Sequence, residues 1–189
     1  MCLFKNIAEL QEWLAAQKID TAAWGVGAAK SVSELWQEIM VGETTILNEP
    51  PVRVVRGVVQ VMIRNGSKIL IEREQEFAHN QKRYRNTPPA EKMKPAESYT
   101  ATVLRCMSEE FGIKPETIEI REETYRQRRE MKESSSYPGL LTLYHFHIVE
   151  VQVQGLPDTE FWTQETGSGN LVTRHHWIWK SESETDGDF

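Results

Sequence analysis

Residues 97–113 constrain the fold of this chain more than any other stretch. Positions three and four apart on a helix share a face. Val103, Leu104, Met107 and Phe111 therefore gather on one side, and position 106, Glu109 and Glu110 on the other. Gly112 supplies the left-handed residue on which helices end. Glu97 falls at the opposite end, where unsatisfied amides and the helix dipole favour a carboxylate. The pattern predicts one amphipathic helix with a buried side and an acidic stripe. Where a third carboxylate would complete the stripe, the chain has Cys106.

The segments around this helix divide by period. Ile7, Leu10, Trp13 and Leu14 recur at helical spacing. A glycine-containing turn over 24–27 separates them from a second helix over 31–40, which opens on Ser31 as a cap and shares Val32, Leu35, Trp36 and Ile39 on one face. Pro50 and Pro51 break that pattern. Residues 1–50 are expected to form an N-terminal helical extension packed on the rest of the chain, with Trp13, Trp24 and Trp36 as its glue. From Val52 the period falls to two, and the Asn65-Gly66 turn between two β-branched runs predicts a hairpin. The polar stretch 74–89, ending in two prolines, reads as a long loop. A strand is expected over 117–125, a charged loop over 126–136, a long strand over 140–153, and a short strand or helix over 173–180. Residues 51–180 make the main domain, and 181–189 read as a flexible acidic tail.

Composition narrows the classes. A chain of 189 residues with 39% hydrophobic side chains can bury one ordinary core. A net charge of -6 disfavours a general nucleic-acid surface, so nucleic acid is not the favoured partner. Cys2 and Cys106 cannot build a disulfide framework or a zinc site, which points to a reducing compartment. The N-terminal residues lack the apolar run of a signal peptide, and no stretch is long enough to cross a bilayer. A soluble cytoplasmic protein without membrane partners is the expectation.

With their spacing, residues 97–113 resemble the box of the Nudix family. Glu97 matches the first glutamate, Arg105 follows after seven residues, Met107 takes the aliphatic place, Glu109 and Glu110 the glutamate pair, and Gly112-Ile113 the ending. Two positions depart: Glu91 stands where the box begins with glycine, and Cys106 replaces the glutamate after the arginine. Ala90 and Ala96 stand where members often carry glycine. The resemblance covers roughly residues 52–180 and implies an α/β fold, an α/β/α sandwich with a mixed central sheet. It also implies a metal-dependent pyrophosphohydrolase of a nucleoside diphosphate linked to another group. In that reading Mg2+ or Mn2+ is held by Glu97, Glu109 and Glu110, and Arg105 orients the cluster. The metal polarises a diphosphate and helps generate the attacking hydroxide. A thiol is a poor stand-in for a hard oxygen ligand. The activity is therefore expected to be weak or atypical. The alternative is a catalytically inactive Nudix-fold module that binds a nucleotide, RNA or protein.

Plainer accounts stand beside each assignment. The glutamates could be a solvated helix face, and Arg105 a simple surface partner of Glu109. Cys106 could be an ordinary buried thiol. Arg83 and Arg85 before the helix, and Arg126 and Arg128 after it, are candidate substrate phosphate ligands. The glutamates interleaved with Arg126 and Arg128 equally suit a solvated charged segment. His145, His147, His175 and His176 lack companions at ligand spacing and read as structural or surface histidines. Trp162, Trp177 and Trp179 read as packing residues. Substrate identity and oligomeric state are not encoded in any motif found.

Overall fold

The computed structural model describes residues 4–27, 29–50, 52–78, 81–167 and 172–185. It contains three α-helices among these residues: α1 (Ile7–Ala16), α2 (Val32–Met40) and α3 (Tyr99–Phe111). The strands are β1 (Thr44–Ile46), β2 (Arg53–Asn65), β3 (Lys68–Phe77), β4 (Lys82–Thr87), β5 (Ala90–Lys92), β6 (Ile118–Glu133), β7 (Leu141–Val153), β8 (Phe161–Gln164) and β9 (Val172–Ser181). Their order is β6-β7-β2-β3-β9-β8, with β1 and β5 also pairing β2, and β4 pairing β3. The α/β class with a mixed central sheet is the one the sequence predicts. Among the described residues no helix is long and apolar enough to cross a membrane.

The chain divides into two compact units. The first unites Met1–Val58, Met93–Ala96 and Arg128–Phe146; the second holds Val59–Lys92, Glu97–Gln127 and His147–Phe189. In the first, Asn6 caps α1, and Ser31 caps α2 through a reciprocal bond with Glu34. Leu10, Leu14, Trp24, Leu35, Tyr137 and Leu140 form its apolar cluster, with Trp13 and Trp36 packed against it. The buried Arg53 bonds Glu38 and lies 4.7 Å over the Tyr137 ring, so its charge is paired rather than stranded.

In the same unit the expected charged loop over 126–136 is a correction: β6 continues through Glu133. Arg128, Glu130 and Lys132 alternate along one face, joined at 3.2 and 2.8 Å. Both cations lie over the Phe146 ring, at 5.2 and 5.8 Å. An ion-paired ladder on an aromatic ring here takes the place of apolar alternation.

The second unit is built on the β2–β3 hairpin, whose turn has Gly66 at φ 60°. The expected loop over 74–89 is also corrected, since β3 runs to Phe77 and β4 covers Lys82–Thr87; residues 79–80 lie outside the described residues. Lys82 meets Glu74 at 2.7 Å, and Arg174 of β9 bonds Glu76, so cross-strand partners neutralise a run of glutamates. The tryptophan-rich stretch is strand β9, antiparallel to β3 and β8. Of the acidic tail, Glu182 holds Arg64 at 2.9 Å, while residues 186–189 lie outside the described residues.

Candidate functional site

Helix α3 forms where the sequence places it. The Ser98 hydroxyl caps its start, accepting from the Ala101 amide at 3.2 Å. Gly112 ends it at φ 66°, and the Gly112 and Ile113 amides bond back to Ser108 and Met107. The division of its faces differs from the expectation. Val103 and Met107 are fully buried, but so is Cys106, and Glu110 is nearly so, whereas Leu104 and Phe111 are only partly covered. The stripe is therefore split. Glu97, Arg105 and Glu109 face outward, while Cys106 and Glu110 turn into the second unit.

The outer group centres on Arg105. Its Nε and one terminal nitrogen donate to both oxygens of Glu97, at 2.9 and 3.0 Å. The other terminal nitrogen reaches Glu91 at 3.1 Å and Glu109 at 3.4 Å. A further bond, 2.7 Å, goes to the carbonyl of Lys92. Burial opposes the Arg105 charge, but the bonds to Glu97 and Glu91 and their charges hold the guanidinium still more firmly protonated. Burial raises the carboxyl of Glu91 despite that partner.

The inner group was not foreseen from the sequence. Glu72 of β3 and Glu165, just after β8, grip the two ring nitrogens of His175 from β9; the Nε2–Glu165 separation is 3.0 Å. Arg85 of β4 takes the other oxygen of Glu72 at 2.9 Å. Burial pushes Glu72 up, yet Arg85 and His175 outweigh it and hold the carboxyl below its ordinary value. Glu110 has the opposite balance: burial and the charge of Glu72 drive it well above its ordinary value, with His175 opposing. Burial, then Glu110 and Glu91, likewise keep the Cys106 thiol protonated. The signal in the sequence was a polar residue, His175, sharing one face of β9 with Trp177. Its partner Glu72 lies 103 residues away in sequence, and Glu165 lies 10 away.

Of the candidate phosphate ligands, Arg85 enters the network beside α3 through Glu72. Arg83 bonds Gln75 at 2.9 Å and lies 5.3 Å over Phe77. Arg126 adds its field to Glu182, and Arg128 belongs to the first unit, on Glu130. His147 bonds the Tyr125 hydroxyl at 2.8 Å, and that ring stacks on Tyr99 at the start of α3. His176 stacks on Trp162 at 4.5 Å.

In the observed arrangement the groups that a hard dication would need are engaged by other partners or covered. Glu97 and Glu109 are bonded to Arg105, position 106 is a thiol, and Glu110 is buried, where burial and the charge of Glu72 raise its carboxyl above the ordinary value. Among the described residues no group of three or more His, Cys, Asp or Glu is spaced to hold a metal ion.

Comparison with known proteins supplies the lineage. No curated protein sequence matches the chain. Among solved structures it is similar to a C. elegans Ap4A hydrolase in a binary complex, at 15% identity over 67% of this chain and 80% of that one, with a TM-score of 0.42. It is also similar to a NUDIX hydrolase from Nitrosomonas europaea, at 19% identity over 65% and 70%, TM-score 0.37. A third is a bifunctional NMN adenylyltransferase/ADP ribose pyrophosphatase from Francisella tularensis, at 13% identity over 81% of this chain and 38% of that one, TM-score 0.39. The family model for the NUDIX domain matches residues 53–177, more than half of the sequence, and on that match the chain belongs to the NUDIX domain family.

Proposed function

We propose that this is a Nudix-type domain directed at a nucleoside diphosphate linked to another group, with metal-dependent hydrolysis far weaker than an intact box would give. One observation carries the reading. Glu91, Glu97 and Glu109 converge on Arg105, at 3.1, 2.9 and 3.4 Å, and Cys106 lies buried on the same helix. Loss of one anionic ligand and potential base costs on the order of 10²–10⁴-fold in rate when it removes general base catalysis. The residues for which roles are proposed are Glu97, Glu109 and Glu110 as acidic ligands and Arg105 as their organiser. A second reading, the catalytically silent module, is favoured by the burial of Glu110, which takes its carboxyl away from solvent.

The purified domain would be screened with nucleoside diphosphate derivatives and Mg2+ or Mn2+. Slow turnover that Glu110→Gln abolishes supports the hydrolase. Nucleotide binding without turnover, and without dication binding by calorimetry, supports the silent module instead. Cys106→Glu is expected to tighten dication binding and raise the rate. A folded variant that changes neither would overturn the alignment of residues 97–113 with the box.

A further inference from the structure

We infer that His175 is a positioning residue for the C-terminal turn of α3, acting through residues 165–167 as a strap. The last carbonyls of a helix have no partner within it. Here the Glu109 carbonyl accepts from both the amide and the hydroxyl of Thr166, at 2.9 and 3.0 Å. The strap thus caps the very turn that carries Glu109 and Glu110. Its own position is set by the preceding residue. One carboxylate oxygen of Glu165 accepts from the Gly167 amide at 2.6 Å, and the other meets His175 Nε2 at 3.0 Å. The Glu165 amide donates to the Thr173 carbonyl at 3.0 Å, which ties the strap to β9.

Behind His175 the contacts continue. Its second nitrogen bonds Glu72, which Arg85 holds from the other side. Its ring stacks with Trp177 at 5.5 Å, and Trp177 stacks in turn on Phe111 at 4.4 Å, the last residue of α3. The Trp177 indole also donates to Thr163 Oγ1 at 2.7 Å, fixing β8 beside it. Bonds therefore run without a break from Glu72 through His175, Glu165 and Thr166 to the Glu109 carbonyl. A residue with both ring nitrogens engaged this way sets a place as well as a charge. Whatever ligand the acidic face meets, this path decides where Glu109 and Glu110 stand. The inference rests on the proposed box only for why that turn matters.

Native-state hydrogen exchange by NMR tests it, on the whole chain. His175→Gln and Glu165→Gln should each speed exchange of the Thr166 amide by about tenfold, while amides of the β2–β3 hairpin keep their rates. Both should also shift the carboxyl carbon signals of Glu109 and Glu110. The double variant should add little to either single one, because the two act along one path. An unchanged Thr166 amide in His175→Gln, or equal acceleration across the whole unit, overturns the inference. Should His175→Gln fail to fold, Thr166→Val removes only the hydroxyl bond. Selective movement of the Glu109 and Glu110 signals then supports the strap, and its absence overturns it. A protected Thr166 amide in a domain with no turnover would sink the proposed activity and leave the strap standing.

Discussion

Arg105 and His175 each hold more than one carboxylate, but in opposite surroundings. Arg105 and its partners keep 14 to 26% of their side-chain surface exposed. His175, Glu72 and Glu165 keep 2 to 4%. The guanidinium carries its charge at every ordinary pH, so the outer group never loses its cation. The imidazole carries a charge only while it keeps a proton, so the inner group can be dismantled by pH alone. The same helix therefore rests on one permanent cation and one conditional cation.

The largest effect should come from the permanent one. Arg105→Met takes from Glu91, Glu97 and Glu109 the guanidinium that they share. Removing one member of a largely buried ion pair costs about 3–5 kcal/mol, and the remaining exposure places this case near 3 kcal/mol. The urea midpoint measures it, with Glu109→Gln as control. That control, at the most exposed and longest contact, should cost about 0.5 kcal/mol. Equal losses from the two variants would show that Arg105 does not organise the outer group.

The conditional cation comes second. Burial lowers the imidazole of His175, but its bonds to Glu165 and Glu72 and the charges of Glu110 and Glu72 raise it from 6.5 to about 9. A pKa raised by folding gives stability that is complete below 6.5 and is lost as the pH climbs to about 9. The wild type should lose on the order of 2 kcal/mol across that window, and His175→Gln should not show the loss. Parallel profiles for the two proteins would assign the inner group's stability elsewhere.

The smallest effect sharpens the contrast at the segment that delivers Glu97. Ala96 adopts φ 64°, a left-handed conformation that costs a non-glycine residue about 1–2 kcal/mol. Glycine removes that strain but has more freedom when unfolded. Ala96→Gly should therefore gain about 0.5 kcal/mol, read as a small rise in melting temperature. A loss would mean that the Ala96 methyl packs more strongly than its backbone is strained.

Elements with apolar periodicity were legible in the sequence: α1, α2, the β2–β3 hairpin, α3 and β7. What escaped was strand built from charge. Glu74, Lys82 and the Arg128-Glu130-Lys132 run alternate as strand residues do, but their partners are ions and rings rather than aliphatic side chains. A hydrophobic period cannot register them. In the outer group the Arg105–Glu109 contact was legible, because the two stand one turn apart on α3, whereas Glu97 lies just before the Ser98 cap. The inner site was not, because Glu72, Glu165 and His175 meet only through the pairing of β3, β9 and β8. Even α3 was read with its apolar face rotated. Helical spacing sets Cys106 and Glu110 apart from the Val103 and Met107 face, yet all four are buried, and no local rule says that a glutamate will be.

Cys106 has no exposed surface, and its surroundings disfavour the thiolate. Only the thiolate attacks an alkylating reagent. Once Cys2 is replaced by serine, iodoacetamide can therefore label the folded protein only during moments when α3 lifts away. The sulfur becomes a stopwatch for such excursions, and its labelling rate in different buffers would report how often the helix leaves its seat.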